Sequence, residues 1–553
     1  MMHALSRYVL ATSAVAASWF GRRRDFMIGR HLVAMLVSLG SALVSTNVGR
    51  AQLTDVTQTP NAIDAGIHKS LAEEIGPGVG DPFTAGSSIF NIERDPARAI
   101  RRGRQLFQRK FTHAQGLGPR ANDGSGDIAA DAAIGAGLVD SCAGCHGRPR
   151  GSAGFGGDVA TRPDSRDAPH LFGLGLKEQL ADEITARLRR IRGGAVAEAT
   201  ATRSSVTRSL NAQGIDYGAI TALPDGTVDT SGVQGVNADL RVRPFFAHGG
   251  TISIREFVVG ALNNEMGLQA VDPCLADAAN TARCVTPSGM VLDGAEDAIE
   301  APRVTDAIHD ADGDGVANEI PTALVDYLEF YLLNYFSPAL YRRTETSARG
   351  LEVFNAIGCA GCHIQDLTIA HDRRVADVET VYDPARGIFN RLFATVRARF
   401  VEMDDGSGLP LLKLPARQRF VVHDIFTDFK RHDLGPKFHE RNYDGTSQTQ
   451  FMTTPLWGVG STAPYGHDGR SINLKEVIVR HGGEALRSRN AFVTLAAEDK
   501  AALVDFLQML VLFPPDDTAS NLDPGNPAAQ GFPQIGHGSV KLSVLFNDPS
   551  DPE

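Results

Sequence analysis

The sequence predicts a mainly α-helical chain of two domains related by internal duplication, with long loops and insertions. Three observations predict it. The pentapeptide Cys-x-x-Cys-His occurs twice, as Cys142-Ala143-Gly144-Cys145-His146 and Cys359-Ala360-Gly361-Cys362-His363, 217 residues apart. A second block recurs at an offset of 220: Pro244 to Gly250 followed by Ile254 to Val259, then Pro464 to Arg470 followed by Leu474 to Val479. Before each pentapeptide a helical segment carries Gly and Phe four apart, Gly103 and Phe107 in one copy, Gly350 and Phe354 in the other.

Cys-x-x-Cys-His is the attachment signature of a c-type haem. Its two thiols form thioethers with the haem vinyl groups, and the adjacent imidazole reaches the iron. Cys142, Cys145 and His146 therefore form one candidate centre, and Cys359, Cys362 and His363 the other. Two covalent haems in two cytochrome c-like domains are expected.

Composition bounds the rest. Hydrophobic residues make up 42% of the 553, enough for real cores. Of six cysteines, the pentapeptides use four. Cys274 and Cys284 remain, and a disulfide between them suits an oxidising compartment. Arg22-Arg23-Arg24 precedes an apolar run from Leu32 to Val44, and Gly49-Arg50-Ala51 reads as a cleavage region, so residues 1–51 are expected to be a signal peptide for export to the periplasm. Met27 is a second candidate start. The apolar run is short for a membrane span. With residues 1–51 go six Arg and one Asp, leaving 48 basic and 64 acidic residues and moving the formal charge from −11 to −16. That balance argues against nucleic acid and anionic membrane surfaces as partners, and permits a small basic electron-carrier protein.

Taken in order, residues 52–90 are rich in Gly, Pro and Thr and read as an extended lead-in. A helix is expected from Asp95 to Phe111, with Pro96 in its first turn. The stretch Asp167 to Gly173 leads into a helix from Leu176 to Ile191, and residues 193–240 read as a surface insertion. A helix from Ala323 to Phe336 closes the first haem domain, residues 52–340. The second occupies 341–515, and a Pro/Asp/Gly-rich tail occupies 516–553.

The two copies of the second block differ at their ends. His481 follows the second helix and precedes Gly482-Gly483, which end it. An imidazole there is suited to be the sixth ligand of the second haem. The aligned residue of the first copy is Ala261, which has no donor atom, so the first haem keeps an open position. One helical turn further stands Glu265, and a carboxylate above an open haem can move a proton between the oxygens of bound peroxide. His248 and His467, in Gly-rich turns, read as structural. Met266 and Met452 read as core residues.

Asp310, Asp312 and Asp314 alternate, with Gly315 at the sixth position, as at the start of a calcium loop. Pro321 stands at the twelfth position where such loops carry Glu, and Glu319 is the candidate substitute.

On these residues, with Thr454-Pro455-Leu456-Trp457-Gly458 and His467-Asp468-Gly469-Arg470, the sequence resembles the di-haem cytochrome c peroxidase superfamily, closest to its di-haem oxidoreductase branch. The resemblance covers most of residues 95–515. It implies a peroxide-binding haem beside an electron-relaying one, with the distal Glu at Glu265 and the relay haem's sixth ligand at His481. Two positions depart from the family pattern. Ala247 stands at the inter-haem Trp, with Phe245 or Phe246 to fill the gap, and Phe257 stands at the distal Gln, making the pocket more apolar. The expected activity is hydrogen peroxide reduction at the N-terminal haem. The alternatives are oxygenation of an organic substrate, as in the related di-haem rubber oxygenases, and a non-enzymatic electron-transfer cytochrome.

Overall fold

Local caps start most of the helices. The Ser87 side chain accepts from the Phe90 N–H and opens α1, Ser88–Arg94. The Asp95 carboxylate accepts from the Arg98 N–H and opens α2, Pro96–Gln108, with Pro96 in the first turn, where its missing N–H costs nothing. The lead-in is thus already helical from Ser88. The computed structural model describes residues 83–84, 86–112, 116–117, 140–146, 167–302, 308, 310, 317, 319–335, 344–378, 396–398, 419–442 and 445–511, all within one compact unit, Lys69–Glu553. The expected signal peptide and tail lie outside the described residues.

The first pentapeptide forms a short helix, α3, Cys142–His146. Next comes α4, Leu174–Thr202, eleven residues longer at its C-terminus than the sequence suggests. It runs through Gly193-Gly194, where an added Cβ would meet nothing. Residues 193–240 are therefore not a loop. After α4 they form an antiparallel three-stranded sheet, β1 Val206–Ala212, β2 Ile215–Ala222 and β3 Val228–Asp229. Thr, Ser and Gly disguise its alternation, but Leu210, Tyr217 and Ile220 are buried against Leu188, Ala195 and Ala199 of α4. The Tyr217 hydroxyl donates to the Asp428 carbonyl at 2.8 Å and ties this sheet to the C-terminal half.

Then follow α5, Ile254–Ala261, a single π-helical turn, Leu262–Met266, and α6, Pro273–Ala279. The expected Cys274–Cys284 disulfide is present, joining α6 to the hairpin of β4, Arg283–Val285, and β5, Val291–Asp293. After α7, Thr322–Leu333, come α8, Glu345–Ala356, short antiparallel ribbons, and α9 Leu474–Arg480, α10 Leu486–Thr494 and α11 Ala497–Gln508.

The repeated Gly and Phe have one physical meaning. In α2, a Cβ on Gly103 would overlap the Tyr327 carbonyl and the Tyr331 side chain of α7. In α8, a Cβ on Gly350 would overlap the Ala502 carbonyl and the Phe506 side chain of α11. One turn on, Phe107 packs on Tyr331 at 5.7 Å between ring centroids, and Phe354 on Phe506 at 5.4 Å. Each glycine lets two helices touch, and each phenylalanine fills the space beside the contact. Gly103→Ala and Gly350→Ala are each expected to cost about 1–3 kcal/mol by forced overpacking. Gly193→Ala is expected to gain up to about 1 kcal/mol from helix propensity alone. Denaturation midpoints of the three variants check the contrast.

The second repeated block also keeps its geometry. Phe245 bridges Thr251, and Tyr465 bridges Ser471. Ser253 caps α5 by accepting from the Glu256 N–H, and Asn473 caps α9 by accepting from the Glu476 N–H. Glu256 accepts the Ile252 N–H at 3.1 Å, and Glu476 accepts the Ile472 N–H at 2.9 Å.

Three apolar cores result: α1, α2, α5 and α7; α4 with its sheet; and α8 with α9 and α11. The first holds a buried ion cluster that anchors α5. Arg255 meets Asp272 at 2.7 Å, Asp326 at 2.9 Å and Glu329 at 2.7 Å. Ser88 donates to Asp326 and Thr286 to Glu329.

Candidate haem centres

In the N-terminal centre, Ser141 begins α3, its hydroxyl accepting the Gly144 N–H at 3.1 Å. Cys142 and Cys145 are outside any disulfide and partly buried. Burial pushes the Cys142 thiol up to about 12. His146 Nδ1 donates to the Pro169 carbonyl at 2.7 Å. Burial holds the ring below its ordinary pKa and so neutral, and with the proton on Nδ1 the lone pair sits on Nε2. Phe257 of α5 stands edge-on to His146 at 5.9 Å, with Phe245 and Phe246 packed on it. The wall facing His146 is therefore aromatic. Phe245 and Phe246 belong to this pocket, and Phe246 also stacks on His248.

In the C-terminal centre, Cys359 and Cys362 are likewise outside any disulfide, and burial pushes Cys359 up to about 12. His363 Nδ1 donates to the Phe426 carbonyl at 3.0 Å. Burial holds His363 down to about 4, with nearby His481 adding to the effect. His481 ends α9 because its own backbone turns extended, at ψ 129°. Gly482 then donates to the Leu434 carbonyl at 2.8 Å, and Gly483 takes a φ of 47°, which no Cβ could share with the Asp433 carbonyl against it. His481 Nδ1 donates to the Val477 carbonyl at 2.7 Å, and Phe438 flanks the ring edge-on at 5.3 Å. Burial keeps this imidazole neutral too, its lone pair on Nε2.

Glu265 sits not on a continuing α-helix but in the π-helical turn after α5, followed by buried Met266 and by Gly267 at φ 62°. Such a turn re-aims the side chains beyond it and is common at functional sites. Of the calcium candidates, Asp312 and Asp314 lie outside the described residues, as does most of the loop around Asp310. Glu319 is buried, its carboxylate accepting the Gln269 N–H. His467 stacks on Phe451 at 4.1 Å and pairs with Glu440, a structural use. Met266 and Met452 are core residues.

Three groups escaped the sequence reading. His170 donates from Nε2 to the Trp457 carbonyl at 3.2 Å, and burial with the neighbouring Lys177 charge lowers it to about 3. Burial lowers Lys177 to about 8, and its ammonium stands 5.6 Å from the Phe245 centroid. His432 lies between Asp428 at 2.9 Å and Glu484 at 2.7 Å. Burial opposes its charge, but the bonds to Asp428 and Cys362 raise it to about 11. No local pattern marks His170 or Lys177, whose partners Trp457 and Phe245 lie far away in sequence; His432 has Asp428 four residues before it, but Glu484 and Cys362 are distant.

Four thiols outside the disulfide, suited to thioether attachment, and three neutral imidazoles with lone pairs on Nε2, suited to iron, form a set that c-type haem fits. The class is a haem-binding oxidoreductase. Residues 365–510 match the family described as "Di-haem oxidoreductase, putative peroxidase". Among solved structures, the chain is similar to a MauG-like protein associated with microbial copper homeostasis, at 14% identity over 75% of this chain and 88% of that one, with a TM-score of 0.26. It is also similar to hydrazine synthase of Kuenenia stuttgartiensis, at 16% identity over 34% of this chain, with a TM-score of 0.21. It spans about half of that chain, 55%. No curated protein matches.

Proposed function

We propose that the chain is a periplasmic di-haem c-type oxidoreductase that reduces hydrogen peroxide at its N-terminal haem, with electrons relayed by its C-terminal haem from a small electron-carrier protein. Cys142 and Cys145 hold one haem through thioethers and His146 ligates it; Cys359, Cys362, His363 and His481 hold the other. The two haem units descend from one duplicated unit, which the matching glycine contacts and capped turns support. One observation carries the reading: the same capped helix ends at Ala261 and runs on to Glu265 in one copy, and ends at His481 in the other.

Haem held by His146 would supply one-electron redox chemistry and a place for peroxide to bind. The protein supplies the proton movement. Glu265 takes a proton at its carboxylate from the near peroxide oxygen and returns it to the departing one. With two electrons and two further protons, one peroxide becomes two waters. The aromatic wall of Phe257 and buried Phe245, with Phe246 on its solvent side, limits the access of water to the reacting oxygens. That same wall favours a second reading, oxygenation of an apolar organic substrate. The Asp310, Asp312 and Asp314 loop is proposed to bind calcium.

Electron paramagnetic resonance of the oxidised protein tests the division of labour. One high-spin signal that cyanide converts and one low-spin signal are expected. Two low-spin signals unmoved by cyanide would sink the enzyme reading in favour of an electron carrier. His481→Ala is expected to turn the low-spin signal high-spin, and Glu265→Gln to lower peroxide kcat/KM by about 100- to 10,000-fold. Oxygen consumption with an apolar substrate, and no peroxide turnover, would select the second reading.

A further inference from the structure

His146 and His363 lie 217 positions apart, yet an unbroken series of covalent and hydrogen bonds joins them. His146 Nδ1 donates to the Pro169 carbonyl at 2.7 Å. A peptide bond leads from Pro169 into His170, whose Nε2 donates to the Trp457 carbonyl at 3.2 Å. The backbone runs back from Trp457 to Leu456, whose N–H donates to the Ile425 carbonyl at 3.0 Å. Ile425 is bonded to Phe426, whose carbonyl accepts from His363 Nδ1 at 3.0 Å.

His170 is the one side chain that carries the series across the gap between the two halves. Its orientation is set from both sides. Nε2 has its acceptor in Trp457, and Nδ1 accepts the Phe172 N–H at 3.3 Å, which leaves a single tautomer. Trp457 is buried, so its carbonyl is held in place by packing.

We infer that His170 is the positioning residue of an electron route between the two haems, running from His363 through Phe426, Leu456, Trp457 and His170 to His146. The inference rests on the di-haem reading above. Electron tunnelling falls off steeply through empty space and far less through covalent and hydrogen bonds, so a series with no gap longer than 3.2 Å is a favoured path. The step balances simply. One electron leaves the ferrous C-terminal haem, which becomes ferric, and reduces the ferric N-terminal haem. No bond forms or breaks. The protons stay on Nδ1 of His146 and His363 and on Nε2 of His170. The external one-electron reductant is the electron-carrier protein, and two passages supply the two electrons that peroxide takes up.

The test uses the oxidised holoprotein, reduced within microseconds by a pulse of a radical donor, with redistribution between the haems followed by absorbance. His170→Phe removes the donor. His170→Asn ends one carbon short of Trp457, whereas His170→Gln can still reach it. The Phe and Asn variants are expected to slow redistribution by on the order of 10- to 100-fold, the scale at which partners of metal-ligating histidines act. The Gln variant is expected to stay near the wild-type rate. Haem content and the low-spin resonance should match wild type in all three. Asn or Phe variants with both haems in place and the wild-type rate would overturn the route. If the Phe variant takes up no haem, equal rates for Gln and Asn would overturn it. Fewer than two haems in the wild-type protein would overturn the di-haem reading itself, and the route with it.

Discussion

Serine at both Cys359 and Cys362 is expected to leave one haem per chain instead of two. Serine at both Cys142 and Cys145 should do the same, and all four substitutions together should leave none. The alkaline pyridine spectrum of the purified protein, scaled to protein concentration, reads the count. The reason is chemical: a thioether needs sulfur, and a hydroxyl of similar size makes no such bond with a vinyl group. The two double variants should also differ in kind. Loss of the C-terminal haem removes the group that His363 and His481 are proposed to share, so the low-spin signal should disappear. Loss of the N-terminal haem removes the high-spin signal and peroxide turnover while low-spin character remains. A chain that keeps two haems after either double substitution would refute the assignment of the pentapeptides.

Arg255→Ala is expected to lower stability by roughly 3–5 kcal/mol, the cost of removing one partner from a buried ion pair. Here one guanidinium serves Asp272, Asp326 and Glu329, so its loss leaves three carboxylates in the α5–α7 core without their cation. The effect has a sign in pH. Burial holds Asp326 above its ordinary value even with Arg255 present. Without the arginine that carboxyl rises further, so the folded chain binds protons more readily than the unfolded one. Stability of the variant then rises as pH falls through the folded pKa towards the ordinary carboxyl value. Melting temperatures of both proteins at pH 7 and pH 5 check this, with a smaller deficit expected at pH 5. An unchanged midpoint at pH 7 would show that the cluster does not anchor α5. The consequence reaches the site, because α5 carries Phe257 and leads into the turn that holds Glu265.

Much of the candidate site was legible because its chemistry is local. A Cys-x-x-Cys-His segment needs no distant partner to be recognised, and Asp95 and Pro96 start a helix from their own side chains. The Cys274–Cys284 bridge was legible for the same reason. Residues 193–240 were not. Their strands are short and rich in Thr and Ser, and only packing against α4 reveals which face is apolar. The π-helical turn was hidden too, since Leu262 to Met266 reads as ordinary helix and only the buried Met266 and left-handed Gly267 show how the chain leaves it.

The sequence alone determined the two Cys-x-x-Cys-His segments, their repetition, and the contrast of Ala261 and Glu265 with His481, because each is a matter of residue type at a fixed spacing. Tertiary structure alone decided that Gly103 and Gly350 are points of helix contact, that Arg255 is shared by three carboxylates, and that His170 reaches Trp457 across the molecule. Such relations join side chains to atoms on other elements, tens to hundreds of residues away. Only the packing of helices brings those atoms within a hydrogen bond's length, and no periodicity in the chain records it.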